Sequence, residues 1–243
     1  MSAAEPPLAE RLATVQSSVD DAVREAGRRS GEVTTIVVTK FHPASLVRGL
    51  FDLGVRHVGE NRQQEASEKS AELSDLALDW HFIGQLQSKK TRSVLAFAST
   101  IHSLDRLSLV SALGSTLDNG AALDNGARAS ASRPGIDAFI QLNLTDDAGR
   151  GGVRPQELSA LAEAVVAVPA ITLRGLMAVA PLGVDPRRAF ARVREARDLL
   201  LPIAPGATDL SMGMSGDFRE AVLEGATHLR IGTAITGNRP TPG

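Results

Sequence analysis

The chain has 243 residues, 43% of them hydrophobic and 22% charged, with a formal net charge of −2. This is the length of one barrel-sized domain or two small ones, with enough apolar material for a core and no basic footprint for nucleic acid. There is no uninterrupted apolar stretch of about 18 residues and no basic-then-apolar leader, which argues against membrane spanning and secretion. Cysteine is absent, which excludes disulfides, thiolate catalysis and cysteine-ligated zinc and fits a reducing, cytoplasmic location. Tyrosine is absent as well, which removes one residue able to act as a general acid or base.

Residues 1–7 read as a short frayed tail. After it, Leu8, Leu12, Val15, Val19 and Val23 recur every three or four positions and predict a helix over about residues 8–27. The run Thr-Thr-Ile-Val-Val-Thr-Lys at 34–40 is β-branched, ends in an amine and meets Phe41-His42-Pro43; it predicts a buried strand that stops at a loop. Pro43 is placed to open a helix at its first position, with Leu46, Val47, Leu50 and Leu53 as its apolar stripe and Gly54 at its end. Further strands are predicted at 55–59, 80–83, 100–102, 138–144, 171–177, about 208–211 and 228–231. Between them fall helices over about 62–73 and 88–96, one that Asp105 can cap, one opened by Pro155, one started by Asp185-Pro186 and one starting near Ser215.

Strand and helix thus alternate eight times, the count of a (β/α)₈ TIM barrel, here with an extra N-terminal helix. The whole chain, 1–243, reads as a single domain. One stretch breaks the rhythm: between Gly114 and Gly135 the motif Leu-Asp-Asn-Gly-Ala occurs twice and small polar residues follow, which predicts a flexible surface insertion.

In such a barrel the residues that follow the strands form the functional mouth. Lys40 is one of them. Partly desolvated there, its amine could form a Schiff base with an aldehyde; the alternative is a strand-end lysine that snorkels to water. Near the C-terminus, Ser211 to Asp217 (Ser-Met-Gly-Met-Ser-Gly-Asp) and Leu229 to Ala234 (Leu-Arg-Ile-Gly-Thr-Ala) bring glycine backbone and hydroxyls together. Ser215 with Gly216, and Gly232 with Thr233, could cradle a phosphate; taken singly, they could be a helix cap and a turn glycine. Arg230, on the same strand face as His228, could donate to a ring nitrogen and keep it unprotonated, which for pyridoxal phosphate weakens the electron sink. The five histidines show no metal-ligand spacing; His57, His81 and His102 lie on three different predicted strands, where core roles are common. Gly149-Arg150-Gly151-Gly152 lacks the Lys-Ser/Thr of a P-loop and reads as a loop.

The motifs Val38-Thr39-Lys40, His57-Val58-Gly59-Glu60-Asn61 with Gln64-Glu65, Trp80-His81-Phe82-Ile83-Gly84 with Leu86-Gln87 and Lys90, Gly175-Leu176-Met177, Ser211-Met212-Gly213-Met214-Ser215 with Asp217, and Arg230-Ile231-Gly232-Thr233-Ala234 together resemble the YggS/PROSC family of pyridoxal phosphate homeostasis proteins. The resemblance spans the chain outside residues 114–135. It implies a barrel like the N-terminal domain of alanine racemase, with pyridoxal 5′-phosphate as an internal aldimine on Lys40. It further implies that Ser215, Gly232 and Thr233 hold the phosphate, that Arg230 faces the pyridine nitrogen, and that Asn61, His81 and Met212 line the pocket. Members are regarded as cofactor carriers or buffers in vitamin B6 homeostasis without established turnover. On this reading the chain is a monomer with no catalytic residue and no metal, and the recipients of its cofactor are apo-enzymes that use pyridoxal phosphate. Two departures stand out. Arg150 lies where the family often has a lysine, and Lys89 lies where it usually has asparagine.

The competing enzymatic reading is an amino-acid racemase of the same barrel type. Racemisation needs bases on both faces of the α-carbon, and in alanine racemases the base opposite the lysine is a tyrosine from a C-terminal β-domain. No tyrosine is present here, and the chain ends soon after the eighth predicted strand. A third reading, a barrel for a sugar phosphate, needs no lysine-linked chromophore.

Overall fold

Ile36, Val37 and Val38 are buried to within 7% of their surface and end the first strand, β1 (Thr34–Val38). Continuous apolar burial of this kind is what a parallel strand covered on both faces demands. In a computed structural model that describes residues 6–119, 135–145, 147 and 149–239, β1 is followed by β2 (His57–Glu60), β3 (Asp79–Phe82), β4 (Thr100–Leu104), β5 (Ile136–Gln141), β6 (Ile171–Met177), β7 (Asp209–Ser211) and β8 (His228–Ile231). Neighbouring strands pair in parallel, and β1 pairs with both β2 and β8, so the sheet closes into an eight-stranded barrel with no free edge.

The helices wrap the outside. α1 (Leu8–Glu25) precedes β1 and buries Leu12, Val15, Val19, Ala22 and Val23, the stripe its spacing predicts. Then come α2 (Ala44–Asp52), α3 (Gln63–Glu72), a 3₁₀ turn (Ser88–Lys90) leading into α4 (Thr91–Leu95), α5 (Leu107–Asp118), α6 (Leu158–Val166), α7 (Pro186–Leu200), α8 (Phe218–Leu223) and a short α9 (Thr233–Thr236). α1 packs on α8 and α9, where Arg11 Nε donates to Ile235 O at 2.7 Å. Among the described residues no helix is long and apolar enough to cross a membrane.

Several expected boundaries move. Pro43 caps α2 from outside rather than occupying its first turn, and Arg106, not Asp105, is the N-cap of α5. Asp105 instead pairs with the Arg106 guanidinium. β5 ends at Gln141 instead of reaching 144, because the chain leaves the barrel through the isolated bridge Leu142–Val153. The expected insertion does not begin at Gly114. α5 runs on to Asp118 with Gly114 buried, and a Cβ added there would stand 3.3 Å from Val168, so the glycine serves the packing of α5 on the segment that follows α6. The rest of that expectation, 120–134, lies outside the described residues. By contrast, Asp185 caps α7 as its Asp-Pro pair predicts, accepting from Arg188 N at 2.9 Å.

Candidate functional site at the C-terminal mouth of the barrel

Lys40 follows β1 by two residues and stands exposed at the mouth. Of the two readings of this lysine, the structure bears out the one that reaches water. Its Nζ lies 5.9 Å from the Phe41 ring centroid, open to water. What is buried is the backbone support on either side of it. Lys69, on α3, spends all three of its ammonium protons on Thr39 O at 2.8 Å, Glu60 Oε1 at 2.8 Å and Glu65 Oε1 at 2.7 Å. Thr39 Oγ1 donates to Glu60 Oε1 at 2.7 Å, and Phe41 N donates to Glu65 Oε1 at 2.5 Å. Residues 39 and 41 are thus both pinned, and the lysine between them is left as the free group.

Phe41 needs that pinning. Its φ of 69° lies in the left-handed region, unusual for a bulky side chain. Such a conformation costs on the order of 1–3 kcal/mol and persists only where neighbours enforce it. Burial pushes the Glu60 carboxyl above its ordinary range, against the pull of Lys69 and Thr39.

Arg230 is buried inside the barrel, as its strand position predicts. Its Nη1 donates to Ser211 Oγ at 2.7 Å and its Nη2 to Ala178 O at 2.8 Å. Burial lowers it to about 10, which leaves it a cation at neutral pH. Behind it runs a string of side chains: Ser211 Oγ to His102 Nδ1 at 2.9 Å, His102 Nε2 to His81 Nδ1 at 2.9 Å, and His81 Nε2 to His57 Nδ1 at 3.1 Å. A guanidinium only donates, so Ser211 Oγ accepts from it. The assignment that also uses the serine proton within the string has Ser211 donating to His102, His102 to His81 and His81 to His57. Each ring is then neutral. Burial, first among the causes, lowers His81 and His102 well below the ordinary histidine value, in keeping with that state. His102 also stacks on Phe139, with centroids 4.5 Å apart.

The other expected residues are placed as follows. Met212 and His81 are both buried. Ser215 lies in a turn, because α8 starts at Phe218 with Asp217 as its cap; it does not open a helix. Asp217 Oδ1 instead accepts from Met214 N at 2.6 Å and closes that turn. Gly232 is the N-cap of α9, and Thr233, its first residue, is exposed. Asn61 follows β2, and Gly84 packs so closely on it that an added Cβ would come within 2.1 Å of Asn61 O.

A cofactor bearing an aldehyde, a hydroxyl and a phosphate fits this mouth. Asn61 Oδ1 and Ser103 Oγ, near the ends of β2 and β4, are buried polar atoms without a partner among the described residues. Buried polar atoms call for a partner, and a ligand hydroxyl can supply one. Among the described residues no group of three or more His, Asp or Glu side chains gathers to hold a metal.

Sequence reading missed Lys69 as a participant and saw Ser211, Glu60 and Glu65 only as letters of motifs. The one available signal was the Glu65–Lys69 spacing of four on a helix, and such pairs usually sit in solvent.

Residues 17–240 match the family described as "Alanine racemase, N-terminal domain". A relative from Corynebacterium glutamicum, named pyridoxal phosphate homeostasis protein, is 40% identical over 226 residues, 93% of this chain and 99% of its own. The chain belongs to the pyridoxal phosphate homeostasis protein family. The resemblance read from its motifs is thereby confirmed. PipY of Synechococcus elongatus, solved with PLP bound, matches this family member with a TM-score of 0.77 at 35% identity, over 95% of this chain and 100% of that one. Alanine racemase of Corynebacterium glutamicum, at 14% identity and a TM-score of 0.65 over 94% of this chain and 62% of that one, shares the fold.

Proposed function

We propose that the chain binds pyridoxal 5′-phosphate through Lys40 and buffers it inside the cell, keeping the free aldehyde scarce and passing it to apo-enzymes, without catalytic turnover of its own. The observation that carries this reading is the free amine of Lys40 between two pinned peptide groups at the mouth. The pinning orients the side chain, and exposure lets an aldehyde reach it and leave again. When bound, the cofactor supplies a carbonyl with which the amine condenses, releasing one water. Arg230, fixed by Ser211 and Ala178, is a permanent donor toward a pyridine nitrogen. Ser215, Gly232 and Thr233 offer hydroxyls and backbone N–H groups to the phosphate, and Asn61 offers its unpartnered oxygen to a ring hydroxyl. The name of the Corynebacterium relative and the PLP-bound PipY structure support the same ligand.

The racemase reading lacks a second base. The sequence contains no tyrosine, His57 and His228 begin their strands at the end of the barrel opposite Lys40, and His81 and His102 are buried and bonded to one another. Arg230 points the same way, since an unprotonated ring stabilises a carbanion poorly.

Borohydride reduction after cofactor addition tests the reading. A covalent phosphopyridoxyl mass gain on Lys40 is expected, and none in Lys40→Ala. Visible colour in Lys40→Ala equal to the wild type after dialysis counts against it, as does alanine racemisation by the loaded protein.

A further inference from the structure

Around the strained Phe41 three cations converge. The Arg239 guanidinium carbon lies 4.1 Å from the ring centroid, that of Arg62 lies 4.8 Å away, and Lys40 Nζ lies 5.9 Å away. The two guanidinium carbons are therefore at most about 9 Å apart, comparable with the screening length of about 8 Å in physiological salt. The three groups come from separate segments: the β1 loop, the β2–α3 loop and the chain after α9. Their proximity is a product of the fold.

None of them is ion-paired among the described residues. The acids closest in sequence are already committed. Glu60 and Glu65 bind Lys69, and Glu65 also holds Phe41 N. The ring offers both guanidinium groups a cation–π contact, which holds them near each other without neutralising either. The same carboxylate that enforces the left-handed backbone of Phe41 thus places the ring that gathers the arginines. Concentrated, unneutralised positive charge beside an exposed amine attracts anions, and paired forks suit the several oxygens of a phosphate.

We infer that Arg62, Phe41 and Arg239 form an outer binding site for a phosphate monoester dianion, a first landing point from which the ligand passes to Lys40. For pyridoxal phosphate this rests on the function proposed above. The site acts on the rate of arrival, because it concentrates the anion beside the amine, and it leaves the inner contacts to set the rate of departure.

The test is stopped-flow association of pyridoxal phosphate with Arg62→Gln/Arg239→Gln protein. Arg24→Gln/Arg92→Gln, two exposed arginines elsewhere, controls for net charge. At low salt the association rate of the site variant is expected to fall by about fivefold or more relative to that control, with the gap closing near about 1 M salt and little change in dissociation. Equal rates at low salt overturn the inference. So does a deficit that persists at high salt, which indicates damage to the loop instead of lost charge. Inorganic phosphate separates this proposal from the cofactor reading. Its ³¹P resonance is expected to broaden more with wild type than with the site variant, whose inner phosphate groups are intact, whether or not borohydride traps an adduct on Lys40. A missing adduct overturns the cofactor reading alone, and equal broadening by both proteins overturns the outer site alone.

Discussion

Two buried polar networks support the mouth, and they solve the cost of burial in opposite ways. Under β1 the solution is ionic: Lys69 is surrounded by Glu60, Glu65 and Thr39 O, and its protons hold the backbone beside Lys40. Under β7 and β8 the solution is neutral: three histidine rings and Ser211 share protons behind a single cation, Arg230. A buried charge survives only with a partner, so the first network fails when one member is lost. Neutral rings lose less when a link is cut but resist being charged. One side of the mouth is therefore sensitive to mutation and the other to acid.

The largest expected effect breaks the ionic side. Lys69→Met leaves Glu60 and Glu65 facing each other without a cation, and the fold should lose about 3–5 kcal/mol in urea denaturation. Borohydride trapping on Lys40 should slow as well. A variant as stable as wild type would show that the cluster is ornamental.

Acid addresses the neutral side. Folding holds His228 down to about 4, chiefly by burial, and lowers His57, His81 and His102 as well. A depressed histidine contributes stability that is whole above its unfolded value near 6.5 and is lost as pH falls toward the folded value. His228 alone accounts for roughly 3 kcal/mol across pH 6.5 to 4. Glu60, raised by burial, works in the reverse sense. Urea midpoints should drop steadily over that window, and less steeply in His228→Gln. A flat profile would refute the assignment of neutral rings.

Two smaller changes sharpen the contrast. Gly84→Ala forces a methyl to within 2.1 Å of Asn61 O, so the β2 end must shift, at a cost of about 1–3 kcal/mol and with weakened cofactor retention. Unaltered retention would show that Asn61 is not engaged. Ser211→Ala cuts the neutral string where it meets Arg230, leaving a buried donor unpaired; about 1–3 kcal/mol is expected by denaturation, less than for Lys69→Met. The reverse order would overturn the comparison between the two networks. Away from both, Leu182 is 94% exposed, and Leu182→Ser should change stability by no more than about 0.5 kcal/mol.

The order of strands and helices, a strand that stops just before Lys40, the Asp-Pro start of α7 and the shared face of His228 and Arg230 were all legible in the sequence. Each depends on neighbours within a few residues: side-chain periodicity, a cap, a β-branched run. The choice between the two readings of Lys40, the late start of α8 and the partners of Arg230 were not. Ser211 meets His102 across 109 positions of chain and Lys69 meets Thr39 across 30, and no local pattern encodes such meetings. They exist because the barrel closes β1 against β8 and aligns strand ends in one ring. Local propensity thus chose the elements, and closure chose which polar groups face each other in the places water cannot reach.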